Sequence, residues 1–181
     1  MYYLWSQINR ASIHLAPQIA MFNFTWPTFK VLPNKLFTMS NVQTPASLKL
    51  RRTTYDNIGK DLSPQENAFG CAETVCTLLA LAFNDTWKTL STKLMYEHFL
   101  ISPYYSKESN SLAGDIVISP TGYGNGKISN GHVGIVLNDE LIASNNSYNS
   151  KLEVNYNLKS WKARYGDVGG FPVVYFRRIM E

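Results

Sequence analysis

Cysteine is scarce in this chain: Cys71 and Cys76 are the two in 181 residues. That excludes a disulfide scaffold, and no Cys or His set at zinc-site spacing accompanies them, so neither metal nor cofactor is expected. Five positions apart in what reads as one helix, they point roughly 140° away from each other and cannot bridge. Charge is thin as well, 17% of residues against a usual figure of about 25%. The surplus of 17 basic over 13 acidic residues, a net +4, steers encounters with polyanions but is too small to specify nucleic acid. A membrane-spanning run is missing too. Residues 11–29 are uncharged, but His14, Gln18, Asn23, Pro17 and Pro27 interrupt them, so no integral membrane association is expected. Nor is a secretory leader expected: the start does not resemble one, since Arg10 follows the aromatic run from Tyr2 to Trp5 and no small-residue cleavage site closes an apolar stretch. The chain reads as made in the cytoplasm and monomeric. No repeat or low-complexity tract occurs.

What the chain does have is apolar material, 45% hydrophobic and 13% aromatic residues. A core of ~150 residues already buries about 68–70% of its unfolded surface, so a folded domain is expected. Residues 1–44 stand apart: they carry Arg10, Lys30 and Lys35 with no acid, together with Trp5 and Trp26. Their prolines break any amphipathic period, and they read as an N-terminal extension, with a surface-contact arm as the alternative. The domain proper is expected over 45–181.

Within it, Thr44-Pro45 supplies an N-cap and first helical position, with Leu48, Tyr55 and Ile58 on the inward face and Gly59 as the left-handed stop. Cys71–Phe83 reads as a buried helix, since Ala72, Val75, Cys76, Leu79 and Phe83 recur at helical spacing and almost everything between them is apolar. A third helix is expected from Thr86 to about Leu100, capped by Asn84-Asp85, with Trp87, Leu90 and Leu94 inward. After Pro103 the pattern shortens into strands: Asp115–Ser119, His132–Leu137, Glu140–Ser144, Leu152–Tyr156 and Pro172–Arg177. Helices first and an antiparallel sheet second is an α+β arrangement. The connection Pro120–Gly131 holds four glycines and is long for a hairpin, as expected of a loop that shapes a cleft.

Cys71 falls at the first turn of the buried helix. There the unpaired N–H groups and the positive end of the dipole favour thiolate over thiol and can hold an oxyanion. Cys76 lies in the apolar seam and reads as a small core residue. Of the three histidines, His14 sits in the extension and His98 near a helix C-terminus. His132 opens a strand beside the glycine-rich loop. Alternation puts Val133, Ile135 and Leu137 toward the core and the imidazole toward the cleft, with Gly134 leaving room on its face. Glu73 complements the dipole of its helix and could meet a cationic substrate group. Tyr123 and Lys127 are candidate substrate contacts. The loop from Gly122 to Lys127 leads into a strand, which disfavours a nucleotide site.

Cys71 at a helix start, Gly114-Asp115-Ile116-Val117 and Gly131-His132-Val133-Gly134-Ile135, in that order, resemble the NlpC/P60 and CHAP cysteine peptidases and amidases, papain-like enzymes that cut peptidoglycan. The resemblance covers roughly Ala46 to Arg178 and has the unpermuted order, Cys before His. It implies a papain-like fold and amide hydrolysis with Cys71 as nucleophile and His132 as base, acting on the bacterial cell wall as a phage lysin or secreted effector. It further implies a polar residue on the next strand that orients the imidazole. The NlpC/P60 register gives Ala143, which cannot serve; the CHAP register gives Asn145, with Asn146 in reserve. Gln65, six residues before Cys71, has the spacing of an oxyanion-hole glutamine. The alternatives are a non-catalytic wall-binding or virion structural module on the same fold, and a cysteine protease acting on protein.

Overall fold

Thr44 is extended, and its hydroxyl accepts from Ser47 N at 3.0 Å while Ser47 Oγ accepts from Thr44 N at 3.1 Å. This reciprocal cap, with proline at the first helical position, starts α1, Pro45–Tyr55. In this computed structural model, residues 42–63 and 70–181 are described; the expected extension up to residue 41, with His14, and Gln65 lie outside the described residues. The inward face of α1 is Ala46, Leu50 and Thr54, whereas Leu48, Tyr55 and Ile58 are exposed. The helix start fixes that phase. Thr44 Oγ1 donates to Arg178 O, and Gly114, at φ +89°, lies so near the Ser47 carbonyl that any Cβ would collide with it. Small residues therefore turn inward and Leu48 turns out. Gly59 does take a positive φ, three residues beyond the C-cap Asp56, in the turn that follows the helix.

The second helix, α2, is Gly70–Phe83 and buries Ala72, Val75, Cys76, Leu78 and Leu79, as its composition requires. The third, α3, is Thr92–Ile101 rather than a helix from Thr86. Asn84 adopts φ 56°, which stops the chain from turning straight into another helix, and Ser91 is the cap, accepting from Leu94 N. That later start rotates the buried face to Thr92, Met95 and Phe99 and leaves Leu90 and Leu94 exposed, with Trp87 partly buried against the core.

Among the described residues six strands form one antiparallel sheet in the order β1-β6-β2-β3-β4-β5. They are β1 Tyr105–Glu108, β2 Ile116–Ser119, β3 His132–Val136, β4 Leu141–Asn146, β5 Lys151–Asn157 and β6 Val174–Arg178. The edge strand β1 and the segment after β5, a turn of helix α4 (Leu158–Trp161) running into a π-helical stretch (Lys162–Val168), carry no strong period and are not expected from the sequence. The α+β class is as expected.

Alternation sorts the strands into two apolar layers. Ile116, Ile118, Val133, Ile135 and Phe176 meet α1, α2 and α3, while Val117, Val136 and Ile142 meet Trp161, Tyr165 and Phe171 on the far face. Asp115, in the Gly-Asp step before β2, is fully buried. Arg177 Nε and its outer nitrogen donate to its two oxygens at 2.9 and 2.8 Å, and Leu112 N donates to it at 2.7 Å. This pairing locks β2 to β6. Among the described residues no helix is long and apolar enough to cross a membrane.

Candidate active site

At the His132 end of β3 the start of α2, the loop after β2 and the β4–β5 turn enclose a cavity of about 570 Å³. Cys71 and His132 both line it, as do Asn145, Asn146, Tyr156 and Arg164. The thiol of Cys71 is partly buried, and the backbone N–H groups of Val133, Ala72 and Cys71 itself point their positive ends toward it closely enough to favour its anion. Val133 directly follows His132, so the helix start abuts the strand start. Those N–H groups lower the thiol pKa, but burial outweighs them and pushes it up to about 11. The expectation of a standing thiolate is thereby corrected: helix-end N–H groups are present, yet among the described residues no cation compensates desolvation. Cys76, raised to about 11 by burial, packs in the core as expected.

His132 lies on the sheet face away from α2, as alternation predicts. Its ring stacks with Tyr165 at 5.5 Å and 17° and stands against Tyr156 and Trp161 at 5.7 and 5.3 Å. Trp161 is itself pinned by its indole N–H donating to Ser119 Oγ at 3.1 Å. Burial in this aromatic box, with Arg164 nearby, pushes the imidazole pKa down to about 3. The ring is therefore neutral across the physiological range.

The partner of the imidazole is Ser144, not Asn145. His132 Nε2 lies 2.9 Å from Ser144 Oγ, and Ser144 Oγ donates to Asn155 Oδ1 at 2.6 Å. Because the serine proton is committed to Asn155, its lone pair accepts from Nε2–H, which leaves Nδ1 as the unprotonated nitrogen. Register explains the choice. Ser144 pairs with Gly134, two residues beyond His132 on the same face, so the imidazole leans diagonally across the space an ordinary side chain would fill. A Cβ on Gly134 would meet Ala143 O at 2.7 Å and Ser144 Cβ at 3.0 Å. Asn155 reaches the same point because β5 carries an irregularity: Ile142 pairs with Tyr156 and Ala143 with Val154, leaving Asn155 as the extra residue. Asn145 and Ala143 face the helices instead. Asn145 Oδ1 accepts from Ser63 and Thr74 at 3.3 and 3.4 Å, tying β4 to the segment before α2 and to α2 itself. Asn146, the reserve candidate, donates to Glu153 at 2.7 Å.

The remaining expected contacts disperse. Tyr123 meets Tyr96 edge to face and its hydroxyl sits 3.5 Å from Glu97, away from the lining of the cavity. Lys127 is exposed and also absent from that lining; its backbone is held by Asn125. Glu73 borders a separate depression of about 180 Å³ with Cys76, Thr77 and Lys88. Ser144, Asn155 and Arg164 are what the sequence reading missed. For Ser144 the signal was available, since pairing Gly134 with the middle of the next strand puts that serine beside the imidazole. Among the described residues no group of three Cys, His, Asp or Glu could hold a metal ion.

No protein-family model matches the chain, and no curated protein does. Among solved structures it is similar to the type VI native effector-immunity complex Tae3-Tai3 from Ralstonia pickettii, at 16% sequence identity and a TM-score of 0.48, over 73% of this chain and 98% of that one.

Proposed function

We propose that the protein is a cysteine hydrolase that cleaves an amide bond of peptidoglycan, with Cys71 as nucleophile and His132 as base. The observation that carries the reading is the convergence, in one cavity, of a helix-start thiol and an imidazole whose Nε2–H is engaged by Ser144. Nδ1 is then the nitrogen available to take a proton. Sulfur attacks the amide carbonyl as the S–H proton passes to Nδ1, and backbone N–H groups at the start of α2 stabilise the oxyanion. The imidazolium returns the proton to the leaving nitrogen, the C–N bond breaks and a thioester remains. Water, deprotonated by His132, hydrolyses it to a carboxylic acid and restores the thiol. With the thiol at about 11 and the imidazole at about 3, attack and proton transfer proceed together rather than from a preformed ion pair. Peptidoglycan as substrate is supported by the resemblance of the Gly-Asp and Gly-His-Val-Gly segments to wall-cutting enzymes.

The same two pKa values favour one rival, a wall-binding module with an idle thiol. Incubating purified sacculi with the wild-type protein and with Cys71→Ala, followed by mass spectrometry of the soluble fraction, separates the two. New amino termini within the stem peptide indicate an endopeptidase, a freed lactyl carboxylate indicates an amidase, and no release by either protein indicates the module.

A further inference from the structure

The cavity has a charge pattern that the catalytic reading does not use. Its lining is polar and almost neutral: serines, asparagines and tyrosines surround one formal charge, Arg164, and no carboxylate lines it among the described residues. Arg164 comes from the π-helical stretch, the kind of irregular turn that tends to mark functional positions. Its guanidinium stands 5.6 Å from the centre of the Tyr165 ring. Tyr165 also stacks on His132. Tyr165 thus contacts both the cation and the imidazole, and Arg164 is exposed where it lines the cavity together with the fully exposed Tyr148. Among the described residues no acid pairs with it within 4.0 Å, although Arg177, Arg178 and Lys49 all have such partners. Glu153, on the neighbouring strand, is instead taken up by Asn146 and Asn149 at 2.7 Å each.

A lone arginine at the mouth of a neutral cleft, braced by an aromatic ring and flanked by amide and hydroxyl donors, is built to take a planar anion. We propose that Arg164 is a specificity residue that binds a free carboxylate on the peptide substrate, so that the protein discriminates between stem peptides with a free glutamate α-carboxylate and those in which it is amidated. This rests on the peptidoglycan reading above. Arg164 also holds down the basicity of His132. A carboxylate seated on it would offset that charge and make the imidazole a stronger base once the correct substrate is in place.

The test compares two probes whose γ-carboxyl is blocked as in a stem peptide, muramyl-L-alanyl-D-glutamate γ-methylamide and its α-amide, muramyl-L-alanyl-D-isoglutamine γ-methylamide. Calorimetry measures their affinity for Cys71→Ala and for Cys71→Ala combined with Arg164→Gln or Arg164→Lys. Sacculi with free or amidated glutamate then give kcat/KM ratios for the corresponding proteins with Cys71 intact. The free carboxylate is expected to be favoured at least tenfold in both assays. Arg164→Gln should bring both ratios close to one, and Arg164→Lys should retain part of the preference. A change in His132 basicity alone would scale both substrates together and leave the ratio untouched. Equal treatment of the two forms by the Arg164-intact proteins, or a preference that survives Arg164→Gln, overturns the inference. A binding preference lost in Arg164→Gln without any hydrolysis upholds the carboxylate site and overturns the enzyme reading. Absence of both binding and hydrolysis overturns both.

Discussion

Replacing Ser144 by alanine removes one hydroxyl from a buried position and separates two accounts of how the imidazole is held. The serine accepts from His132 Nε2 at 2.9 Å and donates a hydrogen bond to Asn155 Oδ1 at 2.6 Å. Without it the ring N–H faces a wall made largely of Tyr156, Trp161 and Tyr165. An unsatisfied polar group there costs about 1–3 kcal/mol, and the ring escapes the cost by moving its proton to Nδ1, the nitrogen needed as base. Taking about 2 kcal/mol, kcat/KM falls roughly 30-fold. Asn155→Ala should fall less, because it keeps the serine and only frees its proton to point the wrong way. Asn145→Ala, whose oxygen takes two long bonds from Ser63 and Thr74, should instead lose about 1 kcal/mol of stability, with the catalytic loss smaller than for Ser144→Ala. The assay is release of soluble muropeptides by each variant, alongside thermal unfolding. A Ser144→Ala protein within threefold of wild type, or an Asn145→Ala protein less active than Ser144→Ala, would refute the reasoning.

Other outcomes follow from burial and charge. Because neutral His132 is the base and its pKa is pushed down to about 3 while Cys71 lies at about 11, kcat/KM should be flat between the two and free of a limb near pH 6.5, as stopped assays on one muropeptide would show. The same lowered pKa makes the fold acid-sensitive. Above pH 6.5 neither state binds the proton; as pH falls from 6.5 toward 3 the unfolded chain takes it up and the folded one does not, so stability declines through that window. His132→Phe should flatten that decline in urea titrations at pH 4 and 7. Asp115→Ala removes the two-pronged partner of the buried Arg177 guanidinium and leaves it with Glu108 at 3.4 Å, and should cost about 3 kcal/mol, lowering Tm by roughly 6–12 °C in calorimetry.

Most of the architecture was legible because it follows from local rules. The apolar density of α2 placed that helix to within a residue, and period-two alternation placed five strands and the direction of His132. What failed was phase. The inward faces of α1 and α3 depend on where each helix is anchored, and those anchors, Thr44 on the Arg178 carbonyl and Ser91 after the turned Asn84, are tertiary or conformational facts. The imidazole partner failed for a related reason. Counting along β4 by family register selected Asn145, while the partner is set by pairing across the strands, which brings Ser144 opposite Gly134. Asn155 required a strand irregularity, and Arg164 a π-helical stretch, neither of which leaves a period in the sequence. The thiol pKa was misjudged because dipole and N–H groups are readable from a helix start, whereas desolvation depends on everything packed around it.

The central claim is covalent catalysis through Cys71, and the intermediate itself is the most direct evidence for it. Wild-type protein turning over purified sacculi is quenched in acid, and its mass is measured intact and after proteolysis. The account predicts a peptidoglycan acyl adduct on the peptide that carries Cys71, labile to hydroxylamine, absent from Cys71→Ala and displaced by added nucleophile. Release of muropeptides at an undiminished rate by Cys71→Ala, or an adduct on any other residue, would contradict it.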